Sequence, residues 1–360
     1  MNPGIRLTLV LGVLSSLATG CASSNPGTGA AALPAVGAPY DLRLPPPRGH
    51  HVRIREFSDL PGGYPYYYPT AIAAAGGKVW VIDSVDQDYG LDSIVGIATS
   101  GKRTNVFESE YGTGPVDITA GPDGALWMAD SYGGNIERMT VKGHFTYYPA
   151  GHNDPYSIVT GPDNALWFTA EAGTTGGTIG RITTAGVITT FTASGETWDI
   201  AAGSDGALWF TEPYANRIGR ITTSGEITEY SKGITAPYWI AAGPDGALWF
   251  TENISGTNGG NAIGRIATKG HVTVYSKGIA PLEYPTDIAA GPDNAMWFTE
   301  TVFGSSYTGG EVGRISMKGK ITEYSKNIDP QGSPKAITAG PDGRMWFVEG
   351  NSDRTGRITL

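Results

Sequence analysis

The chain has 360 residues, 40% apolar and 16% charged, with 53 Gly, 24 Pro and a formal charge of −9. That acidic balance speaks against nucleic acid or an anionic bilayer surface as partner, since both attract basic patches. A single cysteine rules out an intramolecular disulfide and a Cys-rich metal site.

The N-terminus reads as an export signal over residues 1–20. Arg6 supplies a short positive region, and Leu7 to Leu17 is mostly apolar. Small residues then precede the lone cysteine in Leu17-Ala18-Thr19-Gly20-Cys21, a pattern resembling the bacterial lipobox. Lipidation of Cys21 is expected, giving an exported, membrane-anchored lipoprotein that faces the periplasm or lies at the cell surface. Buried acyl chains would hold it there at ~0.8 kcal/mol per CH₂. Residues 21–50 are rich in Ala, Pro, Gly and Ser and read as a flexible tether. The globular domain is assigned to 51–360 and is expected to be a monomer.

From residue 70 the sequence repeats. Trp80, Trp127, Trp167, Trp209, Trp249, Trp297 and Trp346 recur at spacings of 40 to 49 residues. A period of ~40–50 with four short strands is the signature of a propeller blade. The predicted fold is all-β: a seven-bladed β-propeller with four-stranded blades.

Strand A of each repeat is an Ile-Ala-Ala or Ile-Thr-Ala run, small enough to line a crowded axis. A Gly-Pro-Asp-Gly turn follows, in which Pro presets φ and the last Gly accepts a positive φ. Asn164 and Asn294 replace that Gly, and Asn is the next most tolerant of left-handed backbone. Strand B, Ala-Leu-Trp-Phe, is apolar on both faces, as a strand between neighbouring blades requires. Strand C is Ile-Gly-Arg-Ile, and strand D resembles Glu226-Ile-Thr-Glu-Tyr230. The last repeat stops at Arg357-Ile-Thr-Leu360, one strand short. Val52-Arg-Ile-Arg-Glu-Phe57 has the strand D pattern and precedes the first strand A. Residues 52–58 are therefore predicted to complete the seventh blade and hide a sheet edge.

Gly-Pro-Asp-Gly-Ala-Leu-Trp-Phe-Thr-Glu (243–252), with Ile-Gly-Arg-Ile-Thr (218–222), resembles the virginiamycin B lyase (streptogramin B lyase) family of propellers over residues 52–360. The resemblance implies elimination that opens a cyclic depsipeptide at its ester bond, with Mg²⁺ and without water. It also implies a site where strand A begins and strand B ends. Strand A begins there with Thr70, Val116, Tyr156, Trp198, Tyr238, Thr286 and Lys335. Three residues after each Trp stand Asp83, Asp130, Ala170, Glu212, Glu252, Glu300 and Glu349, expected as a nearly complete acidic ring at the channel mouth.

The family's catalytic histidines open strand A in the late blades, in a Pro-His-Gly context. The matching positions here hold Thr286 and Lys335, while the acid closing the last Trp-Phe-x-Glu motif is kept as Glu349. Glu349, Lys335 (expected opposite Glu349, and so protonated) and His152 are the candidate catalytic residues. Tyr156, Trp198, Tyr238, Thr286 and Tyr67 are the candidate ligand contacts, with Glu300 and Glu349 as candidate Mg²⁺ ligands. The repeated strand C arginines read as partners of neighbouring acids. His144 and His271 fall on C–D turns at the opposite face. Two functions stand at this point: a lyase-like propeller binding a small-molecule or peptide ligand, or a non-catalytic interaction scaffold.

Overall fold

The structure, a computed structural model, describes residues 52–58, 67–85, 92–109, 113–151, 154–171, 176–253, 261–280, 283–302 and 309–360. Cys21 and His152, together with the signal and tether segments, lie outside the described residues. The strands form seven four-stranded antiparallel sheets, each a meander. Strand A, in blades 1 to 7, is Tyr67–Ala75, Pro115–Ala120, Pro155–Thr160, Ile200–Ala202, Pro237–Ala242, Glu283–Ala290 and Pro334–Ala339. These first strands neighbour one another round the ring, and that of blade 7 meets that of blade 1.

The seventh sheet closes as the sequence implies. Strand Arg53–Phe57 pairs antiparallel with Arg354–Thr359, from Arg53 opposite Thr359 to Phe57 opposite Thr355. Phe57 lies over Trp346 with ring centroids 5.6 Å apart, as Tyr275 of strand D lies over Trp249 at 5.7 Å. The N-terminal strand thus supplies both the hydrogen bonds and the aromatic lid of an ordinary strand D.

Blades 2 to 7 repeat one polar device at the base of the tryptophan, whereas in blade 1 Trp80 Nε1 donates to Ala75 O at 3.2 Å. In blade 5, Trp249 Nε1 donates to Asp245 Oδ1 of the A–B turn at 3.0 Å. Arg265 of strand C takes the other oxygen at 2.6 Å, and its guanidinium lies 5.9 Å from the Trp249 ring centroid. Burial alone would raise the Asp245 carboxyl, but the Trp249 and Arg265 bonds hold it below its ordinary value. The strand C arginines therefore serve packing, as their periodicity suggested. The turn itself needs left-handed backbone. Gly246 has φ 76°, and Asn164 and Asn294 adopt 58° and 54° in its place.

Strand B is buried on both faces, so every anchoring Trp and the following apolar residue lie between adjacent blades. A fully buried aromatic contributes roughly 3–5 kcal/mol against truncation to Ala. This repeated inter-blade layer is the core, and it leaves the mouth ends of strands A and B to carry chemistry.

Candidate functional site at the channel mouth

Strand A does not run straight to the mouth. In blades 5, 6 and 7 its register against strand B shifts between a proline and the isoleucine three residues on. A bulge of this kind re-aims side chains and breaks local pairing. In blades 3 to 6 the threonine two residues after the Trp, namely Thr169, Thr211, Thr251 and Thr299, bonds the backbone at that point. Thr211 Oγ1 accepts from Asp199 N at 3.1 Å and donates to Tyr238 O of the next blade at 2.6 Å. Thr169 treats Trp198 O in the same way at 2.6 Å, and Thr299 treats Lys335 O at 2.7 Å. The repeat threonine, buried in each case, thus fixes the mouth residue of the neighbouring blade.

Thr70, Val116, Tyr156, Trp198, Tyr238, Thr286 and Lys335 are all partly exposed at these positions. Three of them form an aromatic shelf across blades 3, 4 and 5. Tyr156 and Trp198 have ring centroids 4.3 Å apart, and Tyr238 meets Trp198 edge-on at 5.4 Å. Trp198 Nε1 has no hydrogen-bond partner among the described residues. Burial raises the Tyr156 hydroxyl, with Asp199 and Asp117 adding to it, and pushes Tyr238 up to about 12. Both phenols stay neutral donors. Tyr67 opens strand A of blade 1 opposite Val85.

Thr286 and Lys335 meet across the seam of blades 6 and 7. Thr286 Oγ1 lies 2.9 Å from Thr299 Oγ1 and 3.4 Å from Lys335 O. The register corrects one expectation. The bulge sets Pro334, not Lys335, opposite Glu349. The Lys335 stem instead runs beside Gly350, where a Cβ would meet its Cε at 2.4 Å. Burial pulls the Lys335 amine below its ordinary value, whereas a pairing with Glu349 would hold it up.

The acids differ from their expected setting more widely. Asp83, Asp130, Glu212, Glu252, Glu300 and Glu349 are buried rather than spread round the opening. Several hold loops: Glu212 accepts from Gly195 N at 2.8 Å, Glu252 from Thr235 N at 2.8 Å, and Asp130 from Gly114 N at 2.8 Å. Glu349 accepts from Ser352 Oγ at 2.5 Å and packs beneath Gly332. Burial and the neighbouring Glu56 push its carboxyl up to about 8. Glu300 belongs with other acids of blade 6. The mouth itself offers Mg²⁺ a poor donor set: none of its seven strand A residues is a carboxylate, and Glu300 and Glu349 sit in separate clusters.

One set of residues inside the channel was not anticipated. Asp117, Asp199 and Asp287 stand one position after the mouth residue in blades 2, 4 and 6. Asp117 accepts from Ile158 N at 2.8 Å, and Asp199 and Asp287 accept from Ile240 N and Ile337 N at 2.7 Å. Each bond joins an even blade to the next odd one. The signal was present as an Asp before Ile in alternate repeats, but the small-residue pattern of strand A masked it.

Known proteins fall in line with this geometry. The sequence pattern of the Virginiamycin B lyase family matches residues 69–360. The virginiamycin B lyase of Staphylococcus aureus is 33% identical, with a TM-score of 0.71, covering 86% of this chain and 100% of the enzyme. A catalytically inactive variant of that enzyme, solved with quinupristin, gives 33% identity and a TM-score of 0.72 over 86% of this chain and 100% of the variant. A streptogramin B lyase structure is 31% identical, with a TM-score of 0.70 over 86% of this chain and 98% of that one. No curated protein matches the chain in sequence. With the blade repeat, the N-terminal closure and the matched span in agreement, the chain belongs to the virginiamycin B lyase family.

Proposed function

We propose that the channel mouth binds a small molecule or cyclic peptide, with an aromatic or apolar group of the ligand laid against Trp198. The carrying observation is the partly exposed shelf of Tyr156, Trp198 and Tyr238, with Trp198 packed between the two tyrosines. An aromatic face of this kind suits a ligand that carries an apolar or aromatic group. The quinupristin complex of the Staphylococcus aureus enzyme variant supports that ligand class. If Cys21 is lipidated, the mouth works at a membrane surface, and Cys21→Ser should release the protein into the soluble fraction.

A second reading adds catalysis, and one observation favours it. Burial lowers the Lys335 amine at a position where the family resemblance implies a histidine. An amine tuned toward neutrality can take a proton from the carbon beside a carbonyl, a contribution of about 10²–10⁴ in rate. The electron pair left on that carbon forms a C=C bond to its neighbour as the alkyl C–O bond of the ester on that neighbour breaks, the carboxylate leaves, and the ring opens at unchanged mass. Burial and the neighbouring Glu56 push the Glu349 carboxyl up to about 8, which favours a proton-holding role for it over that of the base.

Incubation with quinupristin separates these readings from a scaffold that binds only proteins. Saturable quenching of tryptophan fluorescence, lost in Trp198→Ala, would support ligand binding. Ring opening at constant mass, abolished by Lys335→Met, would support elimination. Absence of quenching with quinupristin and with smaller depsipeptides would sink both and leave the scaffold.

A further inference from the structure

Blade 6 departs from blades 4 and 7 at the mouth end of its sheet. In blade 4 the last residue of strand B, Glu212, faces Arg217 of strand C, and Glu229 lies alongside on strand D. Arg217 joins them, with Nε 2.9 Å from Glu212 and a terminal nitrogen 2.9 Å from Glu229. Blade 7 uses the same position: Arg354 stands opposite Glu349 and reaches Glu56 at 3.0 Å and Asp329 at 2.9 Å. In blade 6 the two acids recur as Glu300 and Glu323, but the residue opposite Glu300 is Glu311. An acid occupies the place of the arginine.

A fourth carboxylate arrives from strand A. Glu283, two residues before Pro285, matches Thr235, two residues before Pro237 in blade 5. Thr235 N satisfies Glu252 there, at 2.8 Å. In blade 6 the corresponding N–H, that of Glu283, donates to Ala280 O instead. Glu300 is left fully buried, with neither carboxylate oxygen hydrogen-bonded among the described residues. Glu300 stands directly opposite Glu311 on the neighbouring strand, so the two side chains lie on the same face of the sheet. One oxygen from each of Glu283, Glu311 and Glu323 lies within 4.8 Å of the others.

That spread is about twice a Ca²⁺–O bond of ~2.4 Å, so oxygens on opposite sides of one ion fit it. The donors are all carboxylate oxygens from four strands, a hard and irregular set that suits calcium's flexible coordination better than magnesium's octahedron. We infer that Glu283, Glu300, Glu311 and Glu323 form a calcium-type cation site that does in blade 6 what Arg217 and Arg354 do in blades 4 and 7. The ion replaces the guanidinium and ties strands A to D together beside the segment leading to Thr286. The inference is independent of any ligand at the channel mouth.

The test uses the full chain, stripped with EDTA and dialysed at pH 7.5. Calcium chloride at 1 mM should raise the unfolding midpoint by roughly 5 °C, more than the same concentration of magnesium chloride. Terbium should show luminescence sensitised by nearby tyrosine and tryptophan, displaced by calcium. Glu311→Arg, which recreates the blade 4 arrangement, should abolish the calcium shift and raise the metal-free midpoint. Should Glu311→Arg fail to fold, Glu323→Gln is the second variant, with calcium affinity expected to fall about tenfold or more in calorimetry. No calcium shift and no terbium signal in the native protein would overturn the site. So would a shift that persists undiminished in Glu311→Arg or an affinity unchanged in Glu323→Gln, and a larger shift with magnesium would overturn its calcium character.

Discussion

Asp199 of blade 4 holds the backbone N–H of Ile240 in blade 5 with one carboxylate oxygen at 2.7 Å, and its other oxygen accepts from Ser157 Oγ of blade 3 at 2.6 Å. One side chain therefore joins three consecutive blades at the axis, where strand A carries mostly small residues. Burial pushes its carboxyl up to about 7 against these hydrogen bonds, and Asp117 and Asp287 rise to about 6 and about 8.

The pH dependence follows from that direction. Each of these acids is near 3.8 when unfolded and higher when folded, so the folded state binds the proton more tightly. Their contribution is complete below about pH 4 and is lost as pH rises through 6 to 8. The A–B turn acids act oppositely, because their lowered values remove stability only as pH falls below about 4. Thermal unfolding should show a higher midpoint at pH 5 than at pH 8.5, by roughly 5 °C. In Asp199→Asn that difference should shrink. A midpoint that rises steadily from pH 5 to 8.5 would contradict the account.

Phe57→Ala tests the closure. It removes the ring over Trp346 and should cost about 3–5 kcal/mol. Because strand Arg53–Phe57 seals the ring, denaturant unfolding should stay a single transition with a lower midpoint. Separate melting of blade 7 would mean that the closing strand only covers an edge.

The base of each tryptophan offers a quantitative contrast. Asp245→Ala leaves the buried Trp249 N–H without its acceptor and Arg265 without its partner. A loss of about 1–3 kcal/mol is expected in urea unfolding. Arg265→Lys keeps the charge on a partly exposed pair and should cost under about 1 kcal/mol. Equal losses in the two variants would shift the weight from the Trp hydrogen bond to the ion pair.

Lys335→Met distinguishes the two settings of that amine. Since burial lowers Lys335, its ammonium form is disfavoured by folding, and the apolar replacement should leave the midpoint at pH 7 unchanged or raise it by a few degrees. An ion pair with Glu349 would make the same change destabilising. Differential labelling gives an independent check: Lys335 should react with an amine reagent at lower pH than exposed lysines such as Lys232, provided the reagent is small enough to enter.

Much of this molecule is legible residue by residue. The Trp spacing gives the blades, Asn164 and Asn294 betray the turn by their tolerance of positive φ, and the strand D pattern ahead of the first strand A points to residues 52–58 as the closing strand. Tyr156, Trp198 and Tyr238 could be named because they are the aromatic members of a position otherwise held by Thr70, Val116, Thr286 and Lys335. The acidic ring misled. Its periodicity marks a place in the strand, and a place in the strand does not say whether a carboxylate meets water, a loop N–H or another acid.

The sequence by itself determined the architecture, because hydrophobic period, turn chemistry and repeat count are local properties read once per blade. Only the tertiary structure decided the chemistry of the charged groups. Which neighbour faces Glu300, and whether Lys335 meets Glu349, depends on a bulge and on residues from strands up to 23 positions away. Their energies are set by burial and by distances of a few ångströms, and neither quantity is written in a one-dimensional pattern.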